Sequence, residues 1–141
     1  MDDIAIAAYA AGIVDGEGCI TVTYHKGKAG KHRPRFLPYV TVSNTKMEMI
    51  NWLLDYFGGS YTTAYHGGNW NHCYTWYLCT RDTVRDFLET IKPYLVIKKP
   101  QLELLLAFLD LGDSPGKHND LLEAKRMDLF LEMKILNKRG R

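Results

Sequence analysis

Two carboxylates set among glycines make the segment Ala10–Gly18, with the sequence AAGIVDGEG, the part of this chain best suited to chemistry. Gly16 and Gly18 are expected to end a helix and to leave Glu17 projecting just past it. Carbonyl oxygens without helical partners, such as that of Gly16, and the negative end of the helix dipole add to the field of the carboxylate. A hard divalent cation is the natural ligand for such oxygens. The alternative is an ordinary tight turn in which Glu17 is a solvated side chain.

The residues ahead of this segment predict a helix with one face of small side chains. Asp2 or Asp3 can cap it, and the run Ile4–Val14 contains no proline. Small residues recur there at spacings of three and four, so they share a face. Two such helices could pack with their backbones close together and deliver their C-terminal ends to the same place. The residues predicted for this contact between subunits are Ala8, Ala11, Gly12 and Asp15.

Composition limits the class of protein. A chain of 141 residues with 46% hydrophobic side chains predicts one domain, residues 1–141. The net charge of +2 is small, so affinity for nucleic acid would depend on where the charges lie. Three cysteines without CxxC spacing and no secretory leader predict an intracellular location, cytoplasmic in a prokaryote or organellar. No apolar run suits a membrane span, and the histidines lack the spacing of a zinc site.

Hydrophobic periodicity predicts one helix and two strands, the same again, and then further helices. Thr45 and Glu48 have the spacing of a capping box, and Gly58–Gly59 should end the helix that follows. The turn Gly67–Gly68–Asn69 should close the second hairpin. The elements predicted after the first helix are strands Ile20–Lys26 and Arg35–Ser43, a helix ending at Phe57, strands Ser60–His66 and His72–Thr80, and helices Arg81–Ile91, Pro100–Leu111 and Asp120–Lys138.

The predicted fold class is therefore α+β, in the order αββαββα with C-terminal helices. Its four strands should form one antiparallel sheet with one side against the helices and the other side free. Tyr74, Trp76 and Leu78 make the better core set in the last strand, so their neighbours should lie on the free side. Hydroxyl, aromatic and arginine side chains suit the base edges of DNA. The free side is predicted to carry Thr21, Thr23, His25, Arg33, Arg35, Tyr39, Thr41, Tyr61, Thr63, Tyr65, Cys73, Thr75 and Tyr77.

The first two predicted strands and the loop between them form a basic stretch. No acidic residue lies between Gly18 and Glu48. A loop this basic, placed between two recognition strands, predicts contacts with phosphates, although an isolated basic loop is usually only solvated. The cations of this stretch are Lys26, Lys28, Lys31, Arg33, Arg35 and Lys46, and Lys28, Lys31 and Lys46 join the residues predicted to bind DNA.

The segment AAGIVDGEG resembles the LAGLIDADG signature of homing endonucleases. Ala10 stands for the usual Leu, Gly16 for the second small residue and Glu17 for the second acid. The resemblance extends from the N terminus to about Asp110, and the predicted order of elements is that of the family fold. A chain with one such motif resembles the homodimeric members, in which two signature helices cross at a two-fold axis. That symmetry implies a long, near-palindromic target in double-stranded DNA.

The resemblance also implies roles for individual residues. Glu17 and the carbonyl of Gly16 would hold Mg²⁺, with Mn²⁺ as a substitute and Ca²⁺ supporting binding without cleavage. Lys98, with Lys99 as the alternate, falls on the family's basic residue, which holds the attacking water or stabilises charge on the phosphate. Asn44 falls where the family has a Gln or Asn that positions solvent. Its alternative role is to cap the next helix.

The function that these features imply is that of an intron-encoded endonuclease making a double-strand break by metal-dependent hydrolysis. The rival hypothesis is an RNA-binding maturase that assists splicing of its host intron RNA. Such proteins resemble the endonucleases but often lose the catalytic acid or the lysine, and both Glu17 and Lys98 are present here. A transcription regulator on the same fold normally carries an added helix-turn-helix domain, for which we see no room.

Overall fold

The computed structural model describes residues 1–27, 34–65, 72–112 and 120–138. The elements follow the predicted order, αββαββα and then two helices, so the α+β class is confirmed. They are α1 (Asp3–Glu17), β1 (Gly18–His25), β2 (Arg35–Asn44), α2 (Met47–Phe57), β3 (Ser60–Ala64), β4 (Cys73–Leu78), α3 (Arg81–Ile91), a 3₁₀ helix (Lys92–Tyr94), α4 (Lys99–Asp110) and α5 (Asp120–Asn137).

Helix α1 begins at a capping aspartate and runs further than its glycines suggest. The Asp2 carboxylate accepts a hydrogen bond from the Ala5 amide at 2.7 Å, as predicted. The prediction that Glu17 projects beyond the helix is wrong, because Gly16 and Glu17 belong to its last turn. A single glycine weakens a helix by only about 1 kcal/mol, which is too little to end one. Gly18 does end α1, and a Cβ there would lie 2.8 Å from the Cα of Val14.

Helix α2 begins without the predicted capping box. Its N-cap residue is Lys46, which makes no side-chain capping bond. Instead, Asn44 Oδ1 accepts a hydrogen bond from the Lys46 amide at 2.7 Å. The prediction for the other end is confirmed, since Gly58 and Gly59 have φ angles of +71° and +88° that other residues rarely adopt.

The four strands form one antiparallel sheet in the order β1-β2-β4-β3. The five α-helices of the described residues pack against one side of the sheet, which we call the helix side, and the opposite side is the open side. Buried residues alternate along β1, β2 and β4, and Trp76 is fully buried as predicted. Trp76 Nε1 also donates to the Gly58 carbonyl at 2.7 Å, which links β4 to the end of α2. Burying a side chain of this size contributes about 2–3 kcal/mol.

The C-terminal helices brace the beginning of β1. Asn137 Nδ2 donates to the Ile20 carbonyl at 3.0 Å, and Gln101 Nε2 donates to the Leu136 carbonyl at 3.3 Å. These two bonds tie α5 to both β1 and α4, close to the end of α1. Among the helices of the described residues, none is both long and apolar enough to cross a membrane.

Candidate functional site

The end of α1 and the end of β2 bring two predicted site residues into contact. Gly18 pairs with Val42 in the sheet, so Asn44 lies beside the last turn of α1. Asn44 Nδ2 donates to Glu17 Oε2 at 2.5 Å, and the Glu17 side chain remains exposed. A carboxylate at this point is both accessible to a ligand and fixed in direction by a charge-assisted hydrogen bond.

Asn44 makes two side-chain hydrogen bonds, one toward each neighbouring helix. Its Oδ1 accepts from the Lys46 amide, next to α2, while its Nδ2 donates to Glu17. The first bond leaves only the amide nitrogen available to Glu17. This geometry fixes which way the side-chain amide points.

Lys98 lies at the same end of α1, where its side chain binds backbone carbonyls rather than the Glu17 carboxylate. Lys98 Nζ donates to the carbonyls of Val14 at 3.1 Å and Asp15 at 2.9 Å. A cation at the C-terminal end of a helix is favoured by its dipole and by its unpaired carbonyls. Lys99, the alternate, is an exposed first residue of α4.

Asp15, predicted to lie at the contact between subunits, is half-buried and binds within its own chain. Its carboxylate accepts three backbone hydrogen bonds from the turn before α4: from Val96 at 2.8 Å and from Ile97 and Lys98 at 3.0 Å each. Helical spacing alone placed Asp15 with the small residues. The amides that bind its carboxylate lie more than 80 residues away in sequence, so no local sequence pattern indicates them.

The small residues of α1 divide between its two faces. Ala11 has 0% exposure and packs in the subunit core, so its assignment to the contact between subunits is wrong. Ala8 and Gly12 are exposed, and among the described residues outside α1 no atom lies within 4 Å of a Cβ built at Gly12. Ile4, at 67% exposure, extends the same face by one turn. This open face of α1 (Ile4, Ala8, Gly12) is narrower than the predicted one and lies next to the exposed ring of Tyr9.

The donor set fits a divalent cation only in part. Among the described residues, no three His, Cys, Asp or Glu side chains come together as a metal cluster. Glu17 supplies one exposed carboxylate, and the Gly16 carbonyl belongs to the last helical turn, where intrahelical partners run out. Hard cations prefer several such oxygens, so these two groups of the described residues form only part of a coordination shell.

The open side of the sheet carries most of the residues predicted to face DNA. The pairing of Thr21 with Tyr39, and of Thr41 with Tyr77, puts these side chains in rows across β1, β2 and β4. The rings of Tyr39 and Tyr77 stack with centroids 5.6 Å apart. The predicted residues on this side are Thr21, Thr23, His25, Arg35, Tyr39, Thr41, Cys73, Thr75 and Tyr77, and the prediction omitted Cys19, Leu37 and Ser43.

One strand was assigned to the wrong side. Tyr61 pairs with Trp76 and Thr63 with Tyr74, so both lie on the helix side, and Tyr65 continues their alternation. Thr62, which pairs with Thr75, faces the open side instead. Strand β3 lies at the edge of the sheet and is exposed along its whole length. Its sequence therefore lacks the hydrophobic alternation that indicates the buried side of a strand.

Tyr39 lies beside Tyr77 on the open side. Burial, with Tyr77 and Cys79 beside it, raises the pKa of the Tyr39 phenol above its usual value. Tyr39 is therefore a neutral hydroxyl at physiological pH, able to donate and accept hydrogen bonds. Ser43 and Thr75 form a second hydroxyl pair, at 2.8 Å.

The basic stretch is described only at its two ends. Lys26 and Arg35 are exposed at the far end of the first hairpin, and Lys46 is exposed near Asn44. Lys28, Lys31 and Arg33 lie outside the described residues, as does the predicted turn Gly67–Gly68–Asn69.

Comparison with known proteins gives strong matches in structure alone. No protein-family model matches the sequence, and no curated protein matches it closely enough to be a relative. The homing endonuclease I-CvuI, in complex with the I-CreI target and Mg, matches with a TM-score of 0.80 at 19% identity, over 99% of this chain and 87% of that one. The archaeal intron-encoded homing endonuclease I-Vdi141I, complexed with DNA, gives 0.81 at 14% identity over 99% and 89%.

A third match differs in length. The LAGLIDADG homing endonuclease I-SmaMI, bound to cleaved DNA, matches with a TM-score of 0.68 at 16% identity, over 100% of this chain but only 45% of that one. The present chain thus corresponds to half of a longer protein of the same architecture. Together with the element order and the segment Ala10–Gly18, these matches show that the chain has the fold of the LAGLIDADG homing endonucleases.

Proposed function

We propose that this protein is a homodimeric, site-specific DNA endonuclease that hydrolyses phosphodiester bonds with a divalent metal ion. The observation that carries the proposal is the end of α1, where exposed Glu17 accepts from Asn44 and Lys98 binds the adjoining carbonyls. A carboxylate, an amide and an ammonium group gathered beside a polar open sheet suit the cleavage of a bound phosphodiester.

A second copy of the chain is the proposed partner. The open face of α1 exposes apolar and small side chains, with room at Gly12 for a close helix contact. Exposed apolar residues flank that face: Tyr9, whose ring packs edge-on against Trp52 at 4.7 Å, and Val96 and Ile97 at 77% and 69% exposure. Such a patch favours burial against a partner. The half-length match to I-SmaMI also supports pairing of two such units.

Pairing across the open face of α1 would complete the donor set. The C-terminal ends of the two helices would approach each other, and each subunit would contribute its Glu17 and the Gly16 carbonyl. Isologous contact makes the two half-sites equivalent, so the DNA target should be near-palindromic. Similar structures were obtained with Mg and with Ca, so Mg²⁺ is the proposed metal, with Mn²⁺ as a substitute.

Each residue of the site has a separate task. Bound Mg²⁺ would supply Lewis acidity and lower the pKa of coordinated water. Glu17 would bind this ion, and Asn44 would hold the Glu17 carboxylate in place through its Nδ2. Lys98 would present a positive charge near the phosphate on which negative charge develops.

The open side of the sheet is proposed to bind the DNA major groove. Hydroxyls, stacked tyrosines and Arg35 offer the donors, acceptors and apolar surface that distinguish base pairs. The lysines of the first hairpin would contact phosphates, which contribute affinity but little sequence preference. We propose that the gene for this protein lies within an intron, as expected for a homing endonuclease.

The maturase hypothesis makes a different prediction about the ligand. A maturase would bind RNA through the basic stretch and would not need a hydrogen bond between Asn44 and Glu17. Their direct contact therefore favours the nuclease.

A selection followed by a cleavage assay tests the proposed function. Full-length protein would select duplexes from a randomised library in Ca²⁺, and the bound sequences would then be incubated with Mg²⁺. We expect a near-palindromic consensus and a cut in both strands, giving short 3′ overhangs. Binding to intron RNA without selection of any duplex would contradict the proposal and favour the maturase.

A further inference from the structure

The Asp15 carboxylate joins the end of α1 to the turn that precedes α4. It accepts from the amides of Val96, Ile97 and Lys98, at distances between 2.8 and 3.0 Å. Hydrogen bonds to an ionised carboxylate are roughly twice as strong as bonds between neutral groups. These amides also lie at the positive end of the α4 dipole, which favours a negative charge there.

The turn held in this way ends at Lys98, and the Lys98 side chain returns to α1. Its ammonium group donates to the carbonyls of Val14 and of Asp15 itself. The two connections are reciprocal, because α1 holds the backbone of the turn and the turn holds the carbonyls of α1. Lys98 is the N-cap residue of α4, so any shift of this turn would move its ammonium group relative to Glu17.

We propose that Asp15 is a positioning residue for Lys98 and acts on cleavage only through it. This inference rests on the proposed function, in which Lys98 stabilises the scissile phosphate. Asp15 touches neither DNA nor metal in this account. It fixes the turn so that Lys98 and Glu17, which belong to different elements, keep one relative geometry at the moment of reaction.

The test is a double-mutant cycle that combines Asp15→Asn with Lys98→Ala. Asn keeps the size of the side chain but loses its charge and presents one donor to the turn amides. Single-turnover cleavage with Mg²⁺ should fall about ten- to a hundredfold for Asp15→Asn, as expected for a catalytic group misplaced by a fraction of an ångström to an ångström. Duplex affinity in Ca²⁺ should not change. In the Lys98→Ala background, Asp15→Asn should have no further effect on the rate.

A matched control separates positioning from general stability. Asp110 forms a structural ion pair with Arg85 at 2.9 Å, at the opposite end of α4. Asp110→Asn should leave the cleavage rate unchanged in both backgrounds. If Asp15→Asn does not fold, Asp15→Glu, which keeps the charge but displaces it by one methylene, is measured in the same cycle with the same expectation.

Two results would overturn the inference and leave the proposed function intact. One is an unchanged rate for Asp15→Asn, and the other is an equal loss of rate with and without Lys98. An unchanged rate for Lys98→Ala would overturn the inference as well, because Asp15 would then have nothing to act through. If wild-type protein cuts no selected duplex, both the proposed function and this inference are wrong.

Discussion

The end of α1 and the open side of the sheet are both polar, but they are held in different ways. At the end of α1, Glu17, Asn44 and Lys98 belong to three elements and are connected by directed hydrogen bonds. On the open side, side chains stand in rows fixed by the strands, with few bonds between them. The difference suits two tasks, because chemistry needs a few groups in one geometry, whereas recognition spreads over many contacts of small individual effect.

The largest effect is expected at the open face of α1, since both tasks would depend on pairing of the subunits in the proposed function. Gly12→Leu should abolish the dimer and with it all double-strand cleavage, because leucine holds the two helices apart. Outside α1, no atom of the described residues lies within 4 Å of a Cβ at this position, so the subunit should still fold. Sedimentation and circular dichroism measure the two properties. Ala124→Leu, on the exposed side of α5, is the control, and a dimeric Gly12→Leu protein would contradict the proposed interface.

Asn44 tests the directed hydrogen bonds at the end of α1. Asn44→Ala should lower the cleavage rate by roughly ten- to a hundredfold, since a hydrogen bond to a charged group contributes about 1.5–3 kcal/mol. Affinity for DNA in Ca²⁺ should change little. Ser43→Ala, at the neighbouring position, is the control and should affect binding more than rate. Equal effects of the two substitutions on the cleavage rate would remove the distinction between the end of α1 and the open side of the sheet.

Arg35 tests the distributed contacts of the open side. Arg35→Ala should weaken duplex binding by about 1–3 kcal/mol and, if it contacts a base, relax the preference at one symmetric pair of positions. Titrations at several salt concentrations separate a base contact from a phosphate contact. Lys125→Ala, exposed on α5, serves as the control. Unchanged binding and specificity for Arg35→Ala would show that this end of β2 does not meet DNA.

The smallest effect is expected at β3. Tyr61→Ala should change DNA affinity by less than about 0.5 kcal/mol, because its ring lies on the helix side and surface substitutions away from a site have effects of that size. Thr62→Val, on the open side, should have the larger effect of the two. A loss of DNA affinity for Tyr61→Ala equal to that for Arg35→Ala would mean that β3 has a different register when DNA is bound.

The sequence predicted much of this fold because burial leaves a periodic signal. Trp76 and Leu78 alternate with Tyr77, so the two sides of β4 could be assigned before the structure was known. Strand β3 has no buried residue, and its sides could not be distinguished in that way. A prediction of this kind fails wherever both sides of a strand are exposed.

Contacts between residues far apart in sequence were the second feature that could not be predicted from the sequence. The signature segment indicated Glu17, and the family resemblance indicated Asn44 and Lys98, but neither indicated what Asp15 binds. Its partners are backbone amides of residues 96–98, and amides carry no sequence signal. Likewise, Ala11 and Gly12 are both small, and only tertiary packing shows that Ala11 is buried and Gly12 open.

Single-turnover cleavage by Glu17→Gln is the most direct test of the central claim that the end of α1 performs metal-dependent hydrolysis. Gln keeps nearly the same volume and can still accept from Asn44, but it loses the charge that binds the metal ion. The cleavage rate in Mg²⁺ should fall by several orders of magnitude, while binding to the same selected duplex in Ca²⁺ persists. A Glu17→Gln protein that cuts this duplex at a rate comparable to wild type would contradict the account.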